Sequence, residues 1–219
     1  MLNLSLKIAE IDIVNSYSSK LLNKAVEQFS ILPGIGKRSA LRLVLHLLKL
    51  EKEEVMEFAL SLTDLREHIN YCQQCHNISD EETCEICTNP KRNNKVLCVV
   101  EDIRDVIAIE NTQQFFGKYH VLGGVISPID GIGPQDLNIH TLVDRIEKDE
   151  VEEIIMALGS TMEGDTTNFF IYKKIKDKAV NISTIARGMA VGEQLEYTDE
   201  ITLGKSIKNR IPYEQSLGN

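Results

Sequence analysis

Four cysteines, Cys72, Cys75, Cys84 and Cys87, stand in the order C-x2-C-x8-C-x2-C. Each C-x2-C pair can set two thiolates on one side of an ion through a tight turn. Two such pairs complete a tetrahedral sulfur cage, the geometry of a closed structural Zn²⁺ site. Two disulfides or an iron–sulfur cluster would draw on the same residues. Zinc is the expected reading. The first residues (MLNLSLKIAEIDIV) alternate apolar and polar and include Glu10 and Asp12, unlike the basic start and apolar block of a secretory signal, and disulfides are rare in a reducing compartment. The inner gap of eight requires compact knuckles. His76, directly after Cys75, is expected to be a solvent-facing bystander. The fifth cysteine, Cys98, lies in an apolar run and reads as a small core residue.

A second constellation is Leu32-Pro33-Gly34-Ile35-Gly36-Lys37-Arg38-Ser39-Ala40. Gly34 and Gly36 permit positive φ and close backbone approach. A helix that begins just after them turns its free N–H groups and positive dipole end outward. Lys37, Arg38 and Arg42 add formal charge, with Arg38 and Arg42 four apart on one helical face. Such a site suits a phosphodiester backbone and reads no base sequence. The run resembles the helix-hairpin-helix motif of DNA repair proteins. Asp130-Gly131-Ile132-Gly133-Pro134 has no basic neighbours and is expected to be a loop turn.

A third set is acidic. Cys98-Val99-Val100-Glu101 brings a carboxylate to the carboxyl end of an apolar run, where parallel α/β sheets gather ligands. Glu163 and Asp165 follow a Gly159-Ser160-Thr161 turn. This pattern resembles the Toprim domain of primases, topoisomerases and repair nucleases. In catalytic members the resemblance implies a strand Glu and a later Asp-x-Asp pair that hold Mg²⁺, a hard ion that takes carboxylate and phosphate oxygens. Here Gly159-Ser160-Thr161 takes the place of Asp-x-Asp. Glu101, Glu163 and Asp165 therefore read as an acidic remnant, the last two as favourable charge at a helix start. Near the end of the chain, Gly204-Lys205-Ser206 resembles the close of a P-loop, but Asp199 stands where its first Gly belongs.

These groups need elements to hold them. Apolar spacing predicts helices over Leu21–Phe29, about Lys37–Leu50 and about Glu53–Ile69. Asn89-Pro90 closes the cysteine segment. Strands are expected at Val96–Glu101, Tyr119–Leu122, Ile154–Leu158 and Asn181–Ile185. Helices are expected at Asp102–Glu110 and Glu163–Lys178, with a long glycine- and proline-rich loop from Gly123 to Pro134. Strands alternating with helices imply a mostly parallel sheet covered on both faces.

The 219 residues carry a net charge of −9, which argues against indiscriminate polyanion binding, but the charge is uneven. Residues 1–50 hold seven Lys/Arg against three Asp/Glu, and the remainder 17 against 30. A localised cationic face on the N-terminal part follows. No apolar run approaches membrane-spanning length, so a cytoplasmic, nucleoid-associated protein is expected. Residues 1–15 are read either as an extra strand or as a loose extension.

The order of parts is similar to the RecR family of bacterial recombination mediators. The motifs that carry it are LPGIGKRSA, the four cysteines, CVVEDIRDVIAIE, LGGVISPIDGIGPQDL, GSTMEGDTT and LEYTDEITLGKSI, over about residues 20–212. Two departures stand out. The start is longer than usual, and Gly188-Met189-Ala190-Val191-Gly192-Glu193 replaces a G-x-P-V-G-G run. The resemblance implies an α+β and α/β chain in four parts: a helix-hairpin-helix domain with its extension (1–70), a four-cysteine zinc finger (71–90), a Toprim domain (95–190) and a C-terminal oligomerisation tail (191–219). It also implies a non-catalytic role, with DNA contacts at Lys37, Arg38 and Arg42, a homo-oligomer from dimer to ring tetramer, and action with RecO and RecF to load recombinase on gapped single-stranded DNA. The alternative is a Mg²⁺-dependent Toprim nuclease or topoisomerase-like enzyme using Glu101, Glu163 and Asp165.

Overall fold

The computed structural model describes residues 19–212, in two compact units divided after His68. The readings of residues 1–15 and of the last seven residues of the tail lie outside the described residues.

The first unit is helical. Helix α1 (Lys20–Ser30) is N-capped by the Ser19 hydroxyl, which accepts from the Leu22 N–H. Helix α2 (Lys37–Leu47) packs against it through Val26, Ala40 and Val44, flanked by Leu22, Phe29 and Ile35. The apolar pattern that predicts helix to Leu50 continues, but the hydrogen bonding does not. Lys49 and Leu50 donate three residues back, to His46 and Leu47, and the tightened turn ends α2. Helix α3 (Lys52–His68) follows and buries none of its residues within the chain.

The second unit contains the cysteine segment and the sheet. Two short antiparallel strands, β1 (Asn70–Tyr71) and β2 (Ile78–Ser79), flank the first cysteine pair; of the second pair, Cys84 is the N-cap of α4 (Glu85–Thr88) and Cys87 lies within it. Too short to show periodicity, these three elements have no counterpart in the sequence reading. The sheet is wholly parallel: β3 (Asn93–Val100), β4 (Gly117–Val121), β5 (Glu153–Met156) and β6 (Asn181–Thr184), in the order β4-β3-β5-β6. The central strand β3 is buried over its last four residues, and alternation sends Leu97 and Val99 to one face, Cys98 and Val100 to the other. The first face is covered by α6 (Ile139–Lys148) and α7 (Met162–Ile175), through Leu142, Ile146, Ile171 and Ile175. The second is covered by α5 (Ile103–Thr112), through Val106, and Tyr119 of β4 joins that core. Cys98 is buried there, and burial pushes its thiol up to about 12. Helix α7 stops three residues short of the expected Lys178, where Lys178 N–H bonds Ile175 and closes a turn. The Gly123–Pro134 loop holds an isolated bridge between Ser127 and Ile132, with Gly131 at φ +74°, so the Asp130–Pro134 run is a turn as expected. Helix α8 (Glu200–Lys208) is the last helix of the described residues.

Candidate functional site

Gly34 and Gly36 lie on the α1–α2 connection, and Lys37, Arg38 and Arg42 on the first turns of α2 that follow it. Gly34 adopts φ +79°, the left-handed region that a side chain strains, and Gly36 is the extended N-cap of α2. A Cβ built on either meets nothing within 4 Å, so both face open space. No side chain caps α2 at Gly36 among the described residues, which leaves its first N–H groups suited to an outside acceptor. Lys37, Arg38 and Arg42 are exposed, and none of them is ion-paired among the described residues.

Cys72, Cys75, Cys84 and Cys87 converge from the β1–β2 turn and α4. Their sulfurs all lie within 4.8 Å of one another, with Cys75 and Cys84 3.5 Å apart, and all four residues are buried and free of disulfides. In a tetrahedral zinc–thiolate cage, sulfurs sit about 3.8 Å apart. The backbone supports this geometry. His76 turns at φ +61° so that its N–H bonds the Cys72 carbonyl at 2.8 Å, and the Cys84 N–H donates to Cys72 Sγ at 3.3 Å. Crowding of the four sulfurs, through the bonds from Cys84 and Cys87, drives the Cys75 thiol far up, so the cluster asks for a cation before all four can ionise. The donor set fits structural zinc. Its buried thiolates are the zinc site of this chain, and the ion supplies the cohesion that so small a module lacks in apolar core.

His76 is not a bystander. It is half-buried, its Nε2 lies 2.8 Å from Thr141 Oγ1 on α6, and its ring meets His120 edge-on at 5.2 Å. Beside it, Arg145 of α6 donates one guanidinium nitrogen to the carbonyls of Gln74 (3.1 Å) and Tyr119 (2.7 Å), while Nε binds Asp149. The Val121 N–H donates to the Cys75 carbonyl at 2.8 Å. The metal module is thus bolted onto β4 and α6. Partners some 70 residues apart hide this from local reading, although a cation three residues after Leu142 on the buried face of α6 is a signal that sequence does carry.

The acidic residues do not converge. Among the described residues, the four cysteines form the one group of three or more His, Cys, Asp or Glu able to share an ion, and Glu101, Glu163 and Asp165 form none. Glu101 directly follows β3, and burial, reinforced by Asp105 and Asp102, raises its carboxyl above the ordinary range. Asp105 is engaged in the cap of α5, accepting from the N–H groups of Glu101 and Asp102. Thr161, in the position of the second missing aspartate, caps α7 by accepting from the Gly164 N–H at 3.0 Å. Glu163 and Asp165 sit in the first turn of α7, as expected, and Asp165 is bound by Arg187 at 2.7 Å, which holds its carboxyl low. A cleft of about 380 Å³ opens at this end of the sheet, lined by Gly159, Ser160, Arg187 and Lys205 among others. Lys205 and Ser206 lie inside α8, whose N-cap Asp199 accepts from the Thr202 N–H at 2.9 Å. Their backbone is committed to a helix and makes no phosphate cradle. In the departing run at Gly188–Glu193, Gly192 alone adopts positive φ, +85°.

Comparison with known families matches four consecutive stretches: the RecR helix-hairpin-helix over residues 22–66, the RecR four-cysteine zinc finger over 69–89, a Toprim domain over 95–186 and the RecR C-terminal segment over 188–211. Curated relatives agree. The recombination protein RecR of Flavobacterium psychrophilum is 62% identical over 203 residues, 93% of this chain and 98% of the relative. That of Porphyromonas gingivalis is 57% identical over 204 residues, 93% of this chain and 99% of the relative. That of Bacteroides fragilis is 57% identical over 197 residues, 90% and 96% of the two chains. With its four parts in one order and identity running through nearly the whole length, the chain belongs to the RecR family of recombination proteins.

Proposed function

We propose that this chain is a DNA-binding recombination mediator in recombinational repair, acting without catalysis. Its relatives bear the name recombination protein, and a role in DNA recombination is the part of this reading they support directly. The observation that carries the DNA contact is the α1–α2 hairpin. Open glycines, an N-terminus of α2 without a side-chain cap, and the cations Lys37, Arg38 and Arg42, which have no ion-pair partner among the described residues, meet there. Such a surface takes phosphates of any sequence.

The absence of catalysis is supported by the acidic remnant. Glu101 lacks the two aspartates, Thr161 is used as a helix cap, and Asp165 already has a cation in Arg187. Self-association is supported by α3, which exposes Met56, Phe58, Leu60, Leu62 and Leu65 with none of its residues buried in the chain. Phe58, Leu62 and Leu65 recur at helical spacing on one side of this helix, and an exposed apolar stripe of this kind is normally covered by a partner. In this reading copies of the chain assemble, from a dimer to a ring tetramer around DNA, and the sheet domain docks RecO- and RecF-like proteins that bring recombinase to gapped single-stranded DNA. The protein works in the cytoplasm, at the nucleoid. No helix among the described residues is long and apolar enough to cross a membrane.

The test is one reaction on end-labelled gapped DNA with Mg²⁺, divided between native and denaturing gels. A native shift with intact strands is expected. Cut or religated strands would transfer the assignment to a Mg²⁺-dependent Toprim enzyme.

A further inference from the structure

Helix α7 buries Thr167, Ile171 and Ile175 and leaves Phe169 and Tyr172 60% and 46% exposed. Residues three apart on a helix are neighbours on one face. The Lys173 ammonium lies 5.2 Å from the centre of the Phe169 ring. The segment 169–178, FFIYKKIKDK, holds four lysines against one aspartate, a local excess of +3 in a chain of net −9. Lys178 is bonded to Glu147, whereas Lys173, Lys174 and Lys176 have no carboxylate partner among the described residues. Lysines in a last helical turn are accounted for by the helix dipole. Two aromatic rings held in water beside them are not.

We propose that this face of α7 binds single-stranded nucleic acid. The free lysines call for a polyanion, and flat exposed rings call for one whose bases are unstacked and can lie on them. Base–aromatic stacking tolerates any sequence, and phosphates beside the bases reach the lysines. Duplex DNA keeps its base faces hidden and gains only the charge. The surface rests on the reading of this chain as a protein that acts at DNA, but it uses residues separate from the α1–α2 hairpin, whose backbone contacts do not distinguish one strand from two.

The chain contains no tryptophan, so Phe169→Trp in the full-length protein places a single reporter on this face. Adding oligothymidylate should quench its emission, and raising salt should restore it. A matched duplex should bind without quenching. In the otherwise native chain, Phe169→Ala with Tyr172→Ala should weaken oligothymidylate binding about tenfold or more and leave duplex affinity unchanged. Oligothymidylate that binds by gel shift while tryptophan emission stays constant would overturn the proposal. So would a double-alanine variant with native single-strand affinity but altered oligomeric state in sedimentation, which would make the face an interface between copies. The hairpin is judged separately, by duplex binding of the Lys37→Ala, Arg38→Ala, Arg42→Ala variant. If that binding is undiminished the hairpin reading falls, while the tryptophan result still decides α7.

Discussion

His120 illustrates how one side chain can link acidity to stability. It is fully buried against the zinc module, its Nε2 bonds the Asn138 carbonyl at 2.8 Å, and its Nδ1 has no hydrogen-bond partner among the described residues. Burial, aided by the charge on Arg145 and opposed by the Asn138 bond, lowers its pKa to about 3 from an ordinary 6.5. The unfolded chain therefore takes up a proton between these values that the folded chain refuses. Stability should be intact above pH 6.5 and fall below it, by up to roughly 1.4 kcal/mol per pH unit from this group. Urea unfolding at pH 7.5 and 5.5 should show a smaller acid loss for His120→Gln than for the native chain. Acid also releases zinc, but from both proteins, so the difference belongs to the histidine. A native-sized loss in the variant would show that His120 is not the group responsible.

Elements long enough to repeat are legible in the sequence, and those fixed by distant contacts are not. Apolar spacing in Leu21–Phe29 and the β-branched run at Val96–Val100 mark α1 and β3, because burial of one face or of a whole strand is written into successive residues. The hairpin glycines and the cysteine spacing are legible for the same local reason. The four-residue α4, the two-residue strands of the knuckle and the clamp of Arg145 across Gln74 and Tyr119 depend on a metal or on partners far along the chain. The entry to α7 is intermediate. Its acids are readable, but its cap is Thr161 and its key neighbour is backbone. A Cβ on Gly164 would stand 2.1 Å from the Gly159 carbonyl oxygen, a clash that only a backbone shift relieves. Gly164→Ala should cost about 2–4 kcal/mol despite the better helix propensity of alanine, seen as a lower thermal midpoint. A variant as stable as the native chain would mean that the turn before α7 adapts at little cost.

At the scale of the molecule, charge is segregated. The first 50 residues are basic and the rest strongly acidic, apart from the lysine-rich end of α7. An acidic body repels DNA at long range, so binding depends on a few local cations and is salt-sensitive. Removing Lys37, Arg38 and Arg42 together should weaken binding to every sequence alike. It should also flatten the plot of log affinity against log salt by roughly 0.9 for each phosphate that is no longer neutralised. Fluorescence anisotropy across a salt series measures this, and a weakening confined to some sequences would refute a backbone-only interaction.

The state of the five cysteine sulfurs makes the native protein its own metal gauge. Four are gathered for one ion and the fifth, Cys98, is sealed beneath α5. A chromogenic thiol reagent should therefore count close to none in the zinc-loaded protein, four once a strong chelator has stripped it, and the fifth only when the sheet itself opens. The interval between the second and third counts measures how long the sheet outlives the knuckle bolted to it. Rapid exposure of Cys98 after chelation would mean that zinc secures the whole second unit, and a long delay that it secures the knuckle alone.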